Sequence, residues 1–186
     1  MLPFETIRRF RPKDLAAILI AAIAYWVLSS LFSALTQETF YLNIGILLAI
    51  IAFTLRTVKR TGTATAICIL ITLIHPYVKV VPLITTIQHF TIMAVVGITF
   101  DLAFTLLKLE IQNTQVDVIA GAALSAAVIP WILALFTRFE WSLNLFAKIL
   151  NLSITNFLIG IISASAATLV WQSLRRRKIF LKFEYE

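Results

Sequence analysis

Long apolar runs, repeated from one end of the chain to the other, restrict the fold more than any other feature. Six of them cover residues 15–35, 40–55, 62–74, 81–107, 116–136 and 143–174. A helix needs about 20 predominantly apolar residues to cross the hydrocarbon core of a bilayer. The third run is short because it stops before His75 and Pro76, and proline breaks a helix. The runs predict an all-α, polytopic integral membrane protein with six transmembrane helices.

The composition supports one membrane domain. Only 13% of the 186 residues are charged and 60% are hydrophobic, whereas a soluble domain carries about 25% charged residues. There is no extended polar linker and no strong internal repeat. We therefore expect residues 1–186 to form a single six-helix domain with short basic ends, 1–14 and 175–186.

Basic residues fall mainly on one side of the predicted membrane. If the N-terminus is cytoplasmic, 13 of the 16 Lys and Arg residues lie at cytoplasmic ends of the runs, and only Lys79, Arg138 and Lys148 lie outside. Cytoplasmic loops carry the excess of Lys and Arg, and five helices would place the basic cluster 175–178 outside. The distribution predicts a multi-pass protein with both termini in the cytoplasm, and we expect its membrane to be the plasma membrane. The net charge of +7 reflects this topology and does not indicate a nucleic-acid partner.

Motifs for catalysis and metal binding are missing from the sequence. It has no P-loop, no G-x-S-x-G and no H-E-x-x-H motif. Cys68 is the only cysteine, which excludes an internal disulfide and a cysteine zinc site. His75 and His89 have no carboxylate at ligand spacing, so a metal site is not predicted. We expect no enzymatic activity and no cofactor.

Polar and aromatic side chains gather at the predicted outer ends of the runs. They are Gln37, Glu38, Tyr41, Asn43, His75, Tyr77, Lys79, Gln88, His89, Trp131, Arg138, Glu140, Trp141 and Asn144. Such groups suit a pocket for a small polar ring compound, but Trp and Tyr also form belts at membrane interfaces. Both interpretations stay open. Gln88 and His89 favour the pocket, because polar groups within a bilayer helix tend to face an interior.

Asp101 is the one acidic residue well inside an apolar run. A carboxylate there needs a partner, and Arg56, Lys59 or Arg60 could form a structural ion pair with it. A proton-coupling site is the alternative.

Small residues recur at helical spacing in three of the runs. Ala17, Ala21 and Ala24 share one face of the first, and residues 121–127 and 160–164 carry similar spacings. Such stripes allow close helix contact, and we expect most of them to pack inside the bundle.

The chain resembles the S components of energy-coupling factor transporters, small membrane proteins that capture vitamins for uptake. Residues 13–22, KDLAAILIAA, are similar to the first helix of that family, whose A-x-x-x-A face packs against a transmembrane coupling subunit. Residues 59–64, KRTGTA, resemble the turn before the third helix in thiamine and hydroxymethylpyrimidine types. Size and helix number agree along nearly the whole chain, whereas five glycines are few and the sixth run is long for the family.

The resemblance implies a water-soluble vitamin or precursor as substrate, and a coupling subunit and two ATPase subunits as separate partner chains. Ala17, Ala21 and Ala24 would form the partner interface. By position, the substrate-binding residues would be Gln37, Glu38, Gln88, His89, Trp131, Glu140, Trp141 and Asn144. Two alternatives remain: a non-catalytic membrane scaffold or assembly protein, and an intramembrane lipid-modifying enzyme that uses Asp101.

Overall fold

The computed structural model describes residues 10–35, 40–74, 86–107, 110–111, 114–136 and 143–175. Within these ranges the chain forms six helices and one two-residue pair of antiparallel strands. In chain order they are α1 (Pro12–Leu35), α2 (Phe40–Val58), α3 (Thr63–Ile74), α4 (Thr86–Leu107), β1 (Glu110–Ile111), β2 (Thr114–Gln115), α5 (Val116–Phe136) and α6 (Leu143–Arg175).

Five of the helices, all except α3, are long and apolar enough to cross a membrane. Large apolar side chains also point outward, among them Ile20, Leu31, Ile162 and Leu169, each more than half exposed. Outward apolar side chains are suited to lipid. The prediction of a multi-pass, helical membrane protein is confirmed. The 12 residues of α3 rise only about 18 Å, short of the roughly 30 Å hydrocarbon core, so six spans and the orientation stay predictions.

The N-terminus of α1 is set by local chemistry upstream of its apolar run. Pro12 takes the first helical position, where its missing N–H is not needed. Asp14 reaches back and accepts a hydrogen bond from the Arg11 backbone N–H at 2.8 Å, as in a capping box. The helix therefore begins three residues before the run at Leu15.

α1 and α2 run antiparallel, as do α5 and α6, and the contacts between helices close into a ring. α1 packs on α2 and α3, α3 on α4, α4 on α5, α5 on α6, and α6 on α2. Buried residues of all six helices form one core. We call the end at which α1 begins and α2 ends the basic end, because Arg11, Lys13, Lys59 and Arg60 lie there.

Two glycines allow close approach of neighbouring helices. A Cβ on Gly160 of α6 would lie 2.6 Å from the carbonyl oxygen of Ala122 on α5, and one on Gly97 of α4 would lie 2.6 Å from the Cα of Thr65 on α3. Neither neighbour is a side chain that could move aside. The small residues expected inside the bundle on α5 and α6 thus do pack against each other.

The strand pair is the departure from the all-α prediction. Glu110 pairs with Gln115, and Ile111 pairs with Thr114. The pair connects α4 to α5, in a stretch that the apolar runs left unassigned. It does not alter the helical class of the fold.

Candidate functional site

Polar side chains are buried at the end of the bundle opposite the basic end. The Ser29 hydroxyl of α1 donates a hydrogen bond to the Asn43 side-chain oxygen of α2 at 3.0 Å, and both residues are buried. His89, near the start of α4, is 1% exposed. Burying such groups in an apolar environment is costly unless they are hydrogen-bonded. This end therefore combines buried hydrogen-bonding groups from three helices.

Four of the eight predicted substrate-binding residues lie in the described part of the chain. Gln88 is half-buried next to His89 on α4, and Trp131 is half-buried on α5. Trp131 packs edge-on against Phe146 of α6, with ring centroids 5.6 Å apart. Asn144 is exposed on α6. α4 and α5 are neighbours, so Gln88, His89 and Trp131 share one end of the bundle.

The other four predicted residues, Gln37, Glu38, Glu140 and Trp141, lie outside the described residues. Ser29 and Asn43 form a contact that the sequence did not predict. Asn43 was one of the polar residues noted at this end. Ser29 lies next to Ser30 in the first apolar run, and the sequence does not show which of the two serines contacts another helix.

Asp101 is held by the N-terminus of α3. Its carboxylate accepts hydrogen bonds from the backbone N–H groups of Ala64 at 3.2 Å and Thr65 at 2.9 Å, and from the Thr65 hydroxyl at 2.6 Å. A helix N-terminus offers unpaired N–H groups and a partial positive charge. The sequence suggested an ion pair with Arg56, Lys59 or Arg60. In the structure the Asp101 carboxylate of α4 instead caps the N-terminus of α3. The resemblance of residues 59–64 to a turn before a third helix predicted a helix start here, but not its contact with Asp101.

Arg56 is buried within the bundle, although its charge suggested the end of a span. It is 2% exposed, and its guanidinium carbon lies 5.5 Å from the ring centre of Trp171 on α6. This distance is within the range of a cation–π interaction. Sequence analysis missed the contact because Trp171 is distant along the chain.

At the basic end, Asp14 is also engaged in an ion pair. Arg60 Nε lies 2.9 Å from its carboxylate, which joins the start of α1 to the turn after α2. A cavity of about 200 Å³ opens beside this pair and is lined by Arg11, Lys13, Lys59 and the ion pair itself, with Ala17, Thr57 and Val58. We call it the basic cavity.

A larger apolar groove of about 620 Å³ lies between α1, α2 and α6. We call it the alanine groove, because Ala16, Ala17, Ala21, Ala24, Ala49, Ala166 and Ala167 line it. The three residues predicted as a partner interface, Ala17, Ala21 and Ala24, therefore line this groove. Ala17 and Ala24 are half-buried, whereas Ala21 is buried and also belongs to the core of the bundle. The alanine groove shares Ala17 and Thr57 with the basic cavity.

Within the described ranges, no three His, Cys, Asp or Glu side chains come together as metal ligands. Comparison with known proteins gives no relative: no family model matches the chain, and neither a curated protein nor a solved structure does.

Proposed function

We propose that this membrane protein is the substrate-capture subunit of an energy-coupling factor type importer for a small water-soluble vitamin or precursor. The observation that supports it is the burial of His89, Asn43 and Ser29 at the end opposite the basic end. Hydrogen-bonding groups held in a low-dielectric site can orient a polar ring compound. In the proposal this end faces outward, both termini are cytoplasmic and the membrane is the plasma membrane.

The alanine groove supports the partner side of the proposal. Ala17 and Ala21 are four residues apart on α1 and both line this groove, Ala17 half-buried and Ala21 buried. Small side chains let the backbone of another helix approach closely. A transmembrane coupling subunit would cross α1 there, and two ATPase subunits on that partner would drive reorientation of the bundle to release the substrate inward.

A membrane scaffold is the second candidate function. It is favoured by the same groove, since a scaffold needs a helix-contact surface and no ligand site. An intramembrane lipid-modifying enzyme has less support, because the Asp101 carboxylate that it would use is engaged by three donors on α3.

The test of capture begins with native mass spectrometry of the purified protein, to detect a co-purified small molecule. Binding of that molecule, or of thiamine as the first probe, is then followed by tryptophan fluorescence, with Trp131 near the site. Gln88→Leu should weaken binding by roughly 1–3 kcal/mol, because a polar group of the ligand loses its partner in a dry site.

The matched control is Gln172→Leu, which makes the same chemical change at an exposed position of α6 near the basic end. Binding should be unchanged in this variant. Equal binding by wild type and both variants would remove Gln88 from the site. Absence of saturable quenching by any vitamin, with no co-purified small molecule, would favour the scaffold.

A further inference from the structure

The alanine groove and the basic cavity adjoin at Ala17 and Thr57, and their chemistry is opposite. The groove is lined by alanines and other apolar residues apart from Thr54 and Thr57. The cavity holds four basic side chains, Arg11, Lys13, Lys59 and Arg60, and one acidic side chain, Asp14. Its formal charge is therefore +3, and it lies where α1 begins and α2 ends, two helices that are long and apolar enough to cross a membrane. An apolar groove that ends in a cationic cavity is complementary to an amphiphile with an apolar chain and an anionic headgroup.

The length of the groove is close to the thickness of one bilayer leaflet, as expected for the acyl chain of a phospholipid. On α1 it extends from Ala16 to Ala24, and on α2 from Ala49 to Thr57. Each stretch rises about 12 Å at 1.5 Å per residue. A single leaflet contributes half of the roughly 30 Å hydrocarbon core. The groove is thus nearly as deep as one leaflet, which suits an acyl chain, whereas a helix that crosses α1 there would occupy only part of its length.

From this continuity, depth and charge, we propose that the two cavities bind one anionic phospholipid, with its phosphate in the basic cavity and an acyl chain in the alanine groove. Basic residues near a membrane surface attract anionic lipid by about fivefold each. Apolar burial holds the chain. A coupling-subunit helix that crosses α1 at Ala17 and Ala21 would displace that chain, so the lipid occupies the groove when no partner is bound. Lipid binding is independent of the proposed function.

The test uses the full-length protein, delipidated in detergent and titrated under native mass spectrometry. The two probes are dioleoylphosphatidylglycerol and dioleoylphosphatidylcholine, which have the same acyl chains. We expect at least tenfold tighter binding of the anionic lipid. Arg11→Gln combined with Lys59→Gln should reduce that binding by about 25-fold. The matched control is Lys148→Gln, at an exposed position near the N-terminus of α6 and away from the basic cavity. This variant should leave binding of the anionic lipid unchanged.

The groove has its own variant pair. Ala166→Leu places a larger side chain in the groove, and we expect at least fivefold weaker binding of phosphatidylglycerol. Ala147→Leu makes the same change at an exposed position of α6 outside the groove and should have no effect. Each variant is first checked for helix content and a monodisperse elution profile.

A labelling experiment on the wild-type chain avoids any folding defect of the variants. Phosphatidylglycerol with a diazirine in its acyl chain should form adducts on peptides of α1, α2 and α6 that line the groove. Three results would overturn the proposal: adducts elsewhere only, equal binding of the two lipids, or unchanged binding by the double variant. Displacement of the lipid by an equal concentration of inorganic phosphate would show a phosphate site instead. A co-purified partner chain that crosslinks in the groove of lipid-retaining samples would show a different occupant.

Discussion

The Asp101 carboxylate of α4 accepts a hydrogen bond from the Thr65 hydroxyl of α3 at 2.6 Å. The backbone N–H of the same threonine donates to the same oxygen at 2.9 Å. The first distance is typical of a strong, charge-assisted O–H···O⁻ bond. This pair fixes the N-terminus of the shortest helix against α4, at a point where Gly97 also brings the two backbones together.

We expect Asp101→Asn to lower the free energy of unfolding by about 1–3 kcal/mol, because the amide has one acceptor oxygen in place of two and leaves a buried donor of α3 unsatisfied. The measurement is unfolding by sodium dodecyl sulfate in mixed micelles. Thr65→Val removes the hydroxyl donor and should also destabilise. In the double variant the two effects should fall short of their sum by roughly 1 kcal/mol, since both changes break one contact.

Additive effects would show that the two side chains are not coupled. The proton-coupling alternative makes a different prediction. It expects Asp101→Asn to leave stability near that of the wild type and to alter the pH dependence of transport.

Close helix packing at Gly160 gives a second prediction. Gly160→Ala places a Cβ 2.6 Å from the carbonyl oxygen of Ala122, and backbone must shift to accept it. Overpacking of this kind costs typically 1–3 kcal/mol. Gly45→Ala is the matched control, because its Cβ would meet the Ser163 hydroxyl at 3.1 Å, and a side chain can rotate away. The midpoint of thermal unfolding should be much lower for Gly160→Ala than for Gly45→Ala. The reverse order would contradict the packing of α6 on α5.

Hydropathy alone located most of the helices. The fifth run, 116–136, has the bounds of α5, and the sixth, 143–174, ends one residue before α6 does. The fourth run began at 81; residues 81–85 lie outside the described residues, and α4 is described from Thr86 to Leu107. Apolar length determines where a helix can lie in a bilayer, so it predicts such bounds well.

Charged side chains were harder to place from the sequence. Arg56 suggested the end of the second span, yet α2 continues to Val58 and the guanidinium is buried beside Trp171. Asp101 suggested an ion pair because charged side chains can be identified in a sequence. The backbone N–H groups of α3 that bind its carboxylate give no such signal, since every residue except proline has one. The periodicity of the sequence does not show which distant helices contact each other. It also does not show what the stripe of Ala17 and Ala21 packs against.

The contact between Arg56 and Trp171 gives a third prediction. Trp171→Leu should destabilise the bundle by roughly 1–3 kcal/mol through lost burial and the lost cation–π interaction. In an Arg56→Met background, which keeps the length of the side chain and removes its charge, the cost of Trp171→Leu should fall by about 0.5–2 kcal/mol. Trp26→Leu on α1 is the control and should cost the same in both backgrounds. An unchanged cost of Trp171→Leu would show that the ring contributes by burial alone.

The partner interface gives a fourth prediction. Ala21 is 6% exposed and lines the alanine groove, so Ala21→Trp would fill the groove from α1. If a coupling subunit crosses there, this variant should lose co-purification of that subunit while it keeps ligand binding near normal. Loss of the folded monomer instead would show that the stripe is needed for internal packing.

Topology is the last prediction, and it depends on the distribution of basic residues, 13 on one side and three on the other. Cys68 is buried and is replaced by Ala to give a background without thiols. Single cysteines are then placed in turn at Glu38, Thr57, Lys79, Gln112, Glu140 and Glu184. A membrane-impermeant maleimide added to intact cells should label the cysteines at 38, 79 and 140 only, and lysis should expose the other three. Because α3 is short, the cysteine at position 79 tests whether α3 crosses the bilayer. If α3 does not cross, the cysteine at 79 is labelled only after lysis. Labelling of the cysteine at 57 or 112 in intact cells would refute the six-span arrangement.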